Sequence, residues 1–277
     1  MGKYYCLVTS LPDLTPDDGK LAYTVADFKA ELYPQLSPRD RSLVDLFYLR
    51  YDNASLLKLL KDKDAAVDPR GCFPAEELLE LIRLSKDNAR LPRYPSYLQD
   101  FLSAYWNDKD MALLQEDFLV TCYYDYVRKS GNRFVSAWFD FNLNVNNILL
   151  AFSARKYKLD VASRVVGHSP VSEALRTSAA RDFGLSATLD YFERVQRISE
   201  TEDLVEREHK ADLLKWEWLD DATFFHYFTI EKIFAFLLRL DILERWIVLD
   251  KNKGNELFRK MIGTLKDEIR IPEEFRK

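Results

Sequence analysis

The sequence predicts an all-α protein. Residues 185–253 contain neither glycine nor proline, so no strong helix breaker interrupts that stretch. Elsewhere apolar residues recur at three-to-four spacing, and Ser-Pro pairs stand where helices would begin. Ser37-Pro38 and Ser169-Pro170 each set a capping hydroxyl before a proline suited to a first helical turn.

The first long helix is expected from Pro38. Leu43, Leu46, Phe47 and Leu49 take one face and leave Arg39, Asp40, Arg41 and Asp45 mainly to the other. Ser96 and Asp108 precede further runs with helical spacing, the second carrying Leu113, Leu114, Phe118, Val120, Tyr123, Tyr124 and Val127 between Met111 and Lys129. The most apolar segment, Thr223 to Leu249, is read as a core helix. Glu231, Lys232, Arg239, Asp241, Glu244 and Arg245 interrupt it, whereas a spanning helix needs about 20 nearly uncharged residues. Breaks are expected near Val67 to Pro74, Leu91 to Pro95, Ser130 to Asn132, Gly167 to Pro170, Gly184, and Lys251 to Asn255. None resembles a Gly/Ser-rich or Pro-rich linker, so the parts are expected to pack against one another.

Composition narrows the function classes. A chain of 277 residues with 47% hydrophobic and 31% charged residues carries enough apolar surface to offset the entropy of ordering. The net charge of −5 provides no basic face for phosphate backbones, which argues against nucleic acid as a partner. Cys6, Cys72 and Cys122 are odd in number and far apart, which fits a reducing compartment better than a disulfide framework or a CxxC metal clip. The apolar run from Tyr4 to Val8 is soon followed by Pro12, Asp13, Asp17 and Asp18, too early for the apolar region of a signal peptide.

The candidates for chemistry are weak. Glu206-Arg207-Glu208-His209 has the Glu-x-x-His spacing of di-metal bundles, but neither His168 nor His226 has a glutamate three positions upstream to supply the second copy. Gly167-His168-Ser169-Pro170-Val171 begins like a nucleophile elbow, yet Val171 stands where the second glycine is needed, and Ser169 fits better as a helix cap. No GxxxxGK[ST] loop occurs, and the pair Asp220-Asp221 reads as a solvated helix end. No catalytic residue, metal or cofactor is expected.

The most informative feature is an internal echo. Asp52 to Lys61 can be laid on Asn144 to Ser153 and on Asp241 to Asp250, at nearly equal separations. Each copy opens with a carboxylate or amide and continues as an apolar helical stretch. Each then ends in a polar cluster: Lys61-Asp62-Lys63, Arg155-Lys156-Tyr157-Lys158 or Lys251-Asn252-Lys253-Gly254. The marked positions are Asp52, Asn144, Asn147 and Asp241, and cations at the far end suit a helix C-terminus.

On these residues the chain resembles the V-type ATPase C-subunit family of bacteria and archaea, whose eukaryotic counterpart is the V-ATPase d-subunit. Asp52 to Lys63, Asn144 to Lys158 and Asp241 to Gly254 look like degenerate copies of that family's triplicated helical pattern. The opening Tyr4-Tyr5, and Gly71-Cys72-Phe73 ahead of Glu76-Glu77-Leu78, are similar to further family features. The Arg-Gly-Lys turn typical of the family is absent, with Ala154-Arg155-Lys156 in its place, so the likeness is to a divergent bacterial branch.

The resemblance implies a funnel of three helical lobes, placed at about residues 1–95, 96–185 and 186–277 of this chain. Such a part sits between the membrane rotor ring and the coiled-coil shaft of the ATPase. It transmits torque for ion transport, proton transport included, without an active site or insertion into the membrane. Its partners would be the shaft subunits and the ring, and its place the cytoplasmic face of the membrane. A helical scaffold or regulator of another cytoplasmic complex is the alternative. Tyr123, Tyr124, Trp216 and Trp218 are candidate partner anchors, against the commoner role of such aromatics as core.

Overall fold

The structure is a computed structural model that describes residues 4–86, 91–107 and 115–268, with side chains as far as residue 250. Among the described residues there are helices and no strand, so the fold is all-α. The order is α1 (Tyr5–Thr9), α2 (Val25–Asp27), α3 (Pro38–Lys61), α4 (Ala75–Ser85), α5 (Ser96–Asn107), α6 (Gln115–Val127), α7 (Arg133–Lys156), α8 (Pro170–Thr177), α9 (Phe192–Ser199), α10 (Leu204–Ala222) and α11 (Ile230–Glu268). Between α2 and α3 the winding loosens into a π-turn over Phe28–Leu32 and tightens into a 3-10 turn over Tyr33–Gln35.

Helix starts follow the local chemistry. Ser37 and Ser169 cap α3 and α8, accepting from Asp40 N and Ser172 N, and each is followed by proline in the first turn. Asn132 caps α7 by accepting from Val135 N at 3.0 Å, and Asp203 caps α10 by accepting from Glu206 N at 2.7 Å. Helix α5 begins at Ser96, whereas Asp108, Met111, Leu113 and Leu114 lie outside the described residues.

One hydrophobic core runs from Tyr4 to Leu240, with Phe28, Phe47, Tyr48, Phe101, Phe183, Phe192 and Phe234 almost wholly enclosed. Each such side chain contributes about 1.5–3 kcal/mol relative to exposure. Helix α7 is central, touching α6, α8, α9, α10 and α11. Helix α3 packs on α4 and α6, and α11 returns to α2 near the start of the chain.

The structure departs from the expected pattern at three places. Asp40 is buried, because its carboxylate takes hydrogen bonds from the hydroxyls of Ser37 and Tyr4 beneath the N-terminal segment. The expected break at Lys251 to Asn255 is absent, and α11 runs through it. A lone glycine inside a helix costs about 1 kcal/mol relative to alanine, which is too little to stop a helix by itself. The apolar segment Thr223 to Leu249 is not one helix, since residues 223–229 form a loop before α11. Thr223 ends α10 by donating its hydroxyl to Leu219 O at 2.7 Å, and the Phe, His, Tyr and Thr residues that follow are weak helix formers. No described helix is long and apolar enough to cross a membrane.

Candidate functional site

The three echoed segments lie in the three long helices α3, α7 and α11, and their polar residues do related work. In the first copy Asp52, fully buried, accepts from Cys72 N at 2.8 Å and Phe73 N at 3.0 Å in the loop that leads back to α4. Ser55, one turn on, accepts from Asp68 N at 3.0 Å. Lys29 donates to the carbonyls of Arg70 and Gly71, so the loop is held from both sides. Burial pushes the Asp52 carboxyl above the usual carboxylate range, and the two backbone N–H groups only partly offset it. Burial, reinforced by the Asp52 and Asp45 carboxylates, also raises the Cys72 thiol far above its ordinary value, which keeps it protonated.

The loop approaches so closely that a Cβ on Gly71 would fall inside van der Waals contact of Asp52 Oδ1 and 3.1 Å from its Cγ. That is the physical reason for glycine before Cys72-Phe73. The second copy repeats the device. Asn147 donates to Val166 O at 2.7 Å and accepts from Val166 N at 3.2 Å, while Asn144 accepts from Ser169 Oγ at 3.4 Å and donates to the Tyr191 hydroxyl at 3.2 Å. Gly167 follows, at φ +81°, where a Cβ would meet Leu143 Cδ2 at 2.9 Å.

The third copy differs in its target. Asp241 receives both terminal nitrogens of Arg50 from α3, and Glu244 accepts from Val25 N at 2.6 Å. The first two motifs thus grip the loops that follow them, whereas the third grips the beginning of the chain. Burial raises the Glu244 carboxyl above its ordinary value, against the opposing Val25 N–H.

Between the motif helices lies a cavity of about 790 Å³, walled by α3, α6, α7, α10 and α11. Leu57, Leu119, Val120, Leu238 and Ile242 make part of its wall apolar. Its charges come in balanced sets. The Arg50 guanidinium is shared by Asp241 and the Tyr51 hydroxyl (2.6 Å) and lies 4.1 Å from the Phe47 ring centre. Asp212 takes Arg245 and the Trp246 indole N–H (2.9 Å). Lys215, with 12% of its side chain exposed, donates to Asn146 Oδ1 at 3.1 Å. Burial pushes its ammonium down to about 8, against Glu208 and Asp241, which favour the charge.

A family described as "Protein of unknown function (DUF2764)" matches residues 1–269. The chain belongs to that family. No curated protein and no solved structure matches it. The motif clamps and the cavity are therefore features of a DUF2764 family member known from its own geometry.

The structure gathers Asp241 and the pair Tyr123 and Tyr124 at this cavity, while Asp52, Asn144 and Asn147 stand behind it as loop clamps. Tyr123 is buried and donates to Leu46 O at 2.6 Å, and the Tyr124 hydroxyl accepts from Asn142 at 3.0 Å. Trp216 is buried, and Trp218 stacks on Phe141 at 5.1 Å, both away from the cavity lining. His168 pairs with Asp125 at 2.8 Å on the surface, Ser169 is the cap of α8, and His209 lies edge-on to Trp246. Among the described residues no cluster of three or more His, Cys, Asp or Glu side chains is arranged to hold a metal. Sequence reasoning did not single out Arg50, Lys215 or Asp212. An arginine just before the first motif was the one available signal, and nothing in the sequence tied it to a residue on α11.

Proposed function

We propose that this protein is a non-catalytic adaptor of the central stalk of a V-type ATPase, joining the rotating shaft to the membrane rotor ring. The observation that carries the reading is the arrangement of the three motif helices around one cavity, with the third motif closing on the start of the chain. A part that passes torque needs such closure, because an open array would splay under load. The helices then form three lobes of a funnel, and the cavity is the socket for a helical end of the shaft. Its mixture of apolar wall and paired charges suits the tip of an amphipathic coiled coil. The protein works at the cytoplasmic face of the membrane through its complex.

The test is recovery of the tagged, full-length chain from gently solubilised native membranes. Shaft and ring subunits are expected to come with it, and recovery of the chain alone overturns the proposal. Ala54→Trp, which fills the cavity from α3, is expected to cost the shaft subunits while the ring is retained.

A further inference from the structure

The carboxyl end of α7 gathers positive charge in a chain whose net charge is −5. Residues 155–182 hold six Lys and Arg against three Asp and Glu. Residues 156–160 are all exposed, so this turn stands out from the body, and between its lysines it holds out Tyr157 at 67% and Leu159 at 45% exposure. Arg164 and Arg181 are exposed as well. Arg155 ties the loop that bears Arg181 to the turn, donating to Ala180 O at 2.6 Å and Ser178 O at 2.8 Å with its guanidinium 3.5 Å from the Phe183 ring centre.

The neighbouring acids leave that excess in place. Asp160 accepts from Ala162 N and Ser163 N, both at 3.1 Å, and Arg164 stands close enough to favour its charge. Glu173 pairs with Arg176 at 2.6 Å, and Asp182 accepts from Gly184 N at 3.0 Å and from the Ser186 hydroxyl. Among the described residues no carboxylate pairs with Lys156, Lys158 or Arg181. Lys158 adds a second observation. It sits at φ +55°, the left-handed position at a helix end that glycine occupies without strain. The turn is fixed by Lys158 N to Arg155 O at 3.1 Å and Leu159 N to Ala154 O at 2.8 Å. A cation thus stands at the tip at a backbone cost that glycine would avoid, which points to a role in what the tip meets.

An anionic bilayer surface is the partner this chemistry fits. Lysine and arginine are drawn to anionic headgroups, while Tyr and Leu enter the boundary between headgroups and acyl chains. A stable protein interface draws about 20–30 residues from each side, far more than one projecting turn offers, whereas a fluid bilayer moulds itself to a small one. A nucleic-acid strand is tracked by a groove, not by a tip. We infer that the turn at residues 156–160, with Arg164 and Arg181, rests on a bilayer that contains anionic lipid, Tyr157 and Leu159 entering between the headgroups. This goes beyond the proposed shaft-and-ring partners and does not rest on them. A chain that binds vesicles yet brings down no ATPase subunits keeps this inference and overturns the adaptor reading, and a chain that recovers those subunits but ignores vesicles does the reverse.

The experiment is sedimentation of the full-length protein with vesicles of phosphatidylcholine alone, or of phosphatidylcholine and phosphatidylglycerol in equal amounts, at low and high salt. Wild type is expected to pellet with the anionic vesicles at low salt, to be released by high salt, and to stay in the supernatant with phosphatidylcholine alone. Lys156→Glu/Lys158→Glu and Tyr157→Ser/Leu159→Ser, checked by thermal melts to be folded, are each expected to lose at least about tenfold in partitioning. Lys158→Gly, which relieves the left-handed backbone, is expected to melt at or above the wild-type temperature yet bind about fivefold more weakly, an outcome that a merely structural lysine would not give. Lys20→Glu/Lys129→Glu, which changes the net charge equally at other exposed positions, is expected to bind as wild type does. The inference is overturned if wild type ignores anionic vesicles or binds phosphatidylcholine alone equally well, or if either double variant of the turn pellets as wild type does. It is also overturned if the Lys20/Lys129 control weakens binding as much, or if Lys156→Glu/Lys158→Glu sheds shaft or ring subunits from a chain that ignores vesicles, which would make the turn a protein contact.

Discussion

Replacing Gly71 with alanine should destabilise the protein by about 2–4 kcal/mol, and nearly all of that cost should vanish when Asp52 is also alanine. Gly71 does not have positive φ, so the backbone itself does not resist a side chain. What resists is the Asp52 carboxylate. An added Cβ would collide with Oδ1 and lie 3.1 Å from Cγ, while the next neighbour, Asp68 O, is at an ordinary 3.4 Å. The carboxylate cannot swing away without abandoning Cys72 N and Phe73 N, and each buried donor left unsatisfied costs about 1–3 kcal/mol. Asp52→Ala alone loses the same two acceptors. Once they are gone, the Gly71→Ala methyl enters vacated space and should change stability by no more than about 0.5 kcal/mol. Urea unfolding followed by circular dichroism gives all four corners of the cycle, and Gly71→Ala should also lower the melting temperature by roughly 4–12 °C for a chain of this size. Additive costs, or a neutral Gly71→Ala, would show that the clamp does not hold the loop as described.

Three further outcomes follow from the cavity and its closure. The fall of the Lys215 ammonium from 10.5 to about 8 means that the unfolded chain holds this proton more tightly than the folded one between those pH values. Stability should therefore rise with pH through that window, and Lys215→Met should abolish the rise and stabilise the protein at pH 7 by about 1–3 kcal/mol; thermal melts from pH 7 to 10 would refute this if the two proteins run parallel. Glu244→Gln keeps an acceptor for Val25 N and sheds a charge that burial already disfavours, so it should be near neutral, whereas Glu244→Ala orphans that N–H and should cost about 1–3 kcal/mol by chemical denaturation. Arg50 and Asp241 are partly exposed to solvent, so Asp241→Asn should cost only about 1 kcal/mol. The charge-swapped pair Arg50→Asp/Asp241→Arg should recover part of it, and a swap worse than the single change would argue against pairing across α3 and α11.

Features encoded within a few residues could be read in advance. Ser37-Pro38 and Ser169-Pro170 start α3 and α8 because capping and a fixed proline φ act on the next turn alone. The echo at Asp52, Asn144 and Asp241 was visible as a pattern, but its purpose was not, since the atoms it grips lie in loops or, for Asp241, 191 residues away. Punctuation by glycine misled in both directions. Gly254 stands inside the span of α11, while α10 ends without glycine or proline because Thr223 and the aromatic residues after it favour other conformations. The same aromatic run looked like core by composition. Only the fold shows that Phe224, Phe225 and Tyr227 point outward while Trp216 does not.

The grip of α11 on the start of the chain also sets a schedule. Val25 N waits for a partner 219 residues later, and Arg50 waits 191. At roughly 5–20 residues per second, the ribosome reaches Glu244 some ten to forty seconds after Val25 has been made. Throughout that interval α2 has its α3 side, where the Tyr48 hydroxyl donates to Val25 O, but lacks the side that α11 supplies. A chain truncated before α11 should thus be cut more readily by proteases around α2, which has lost the partner of Val25 N, although every residue there has been synthesised.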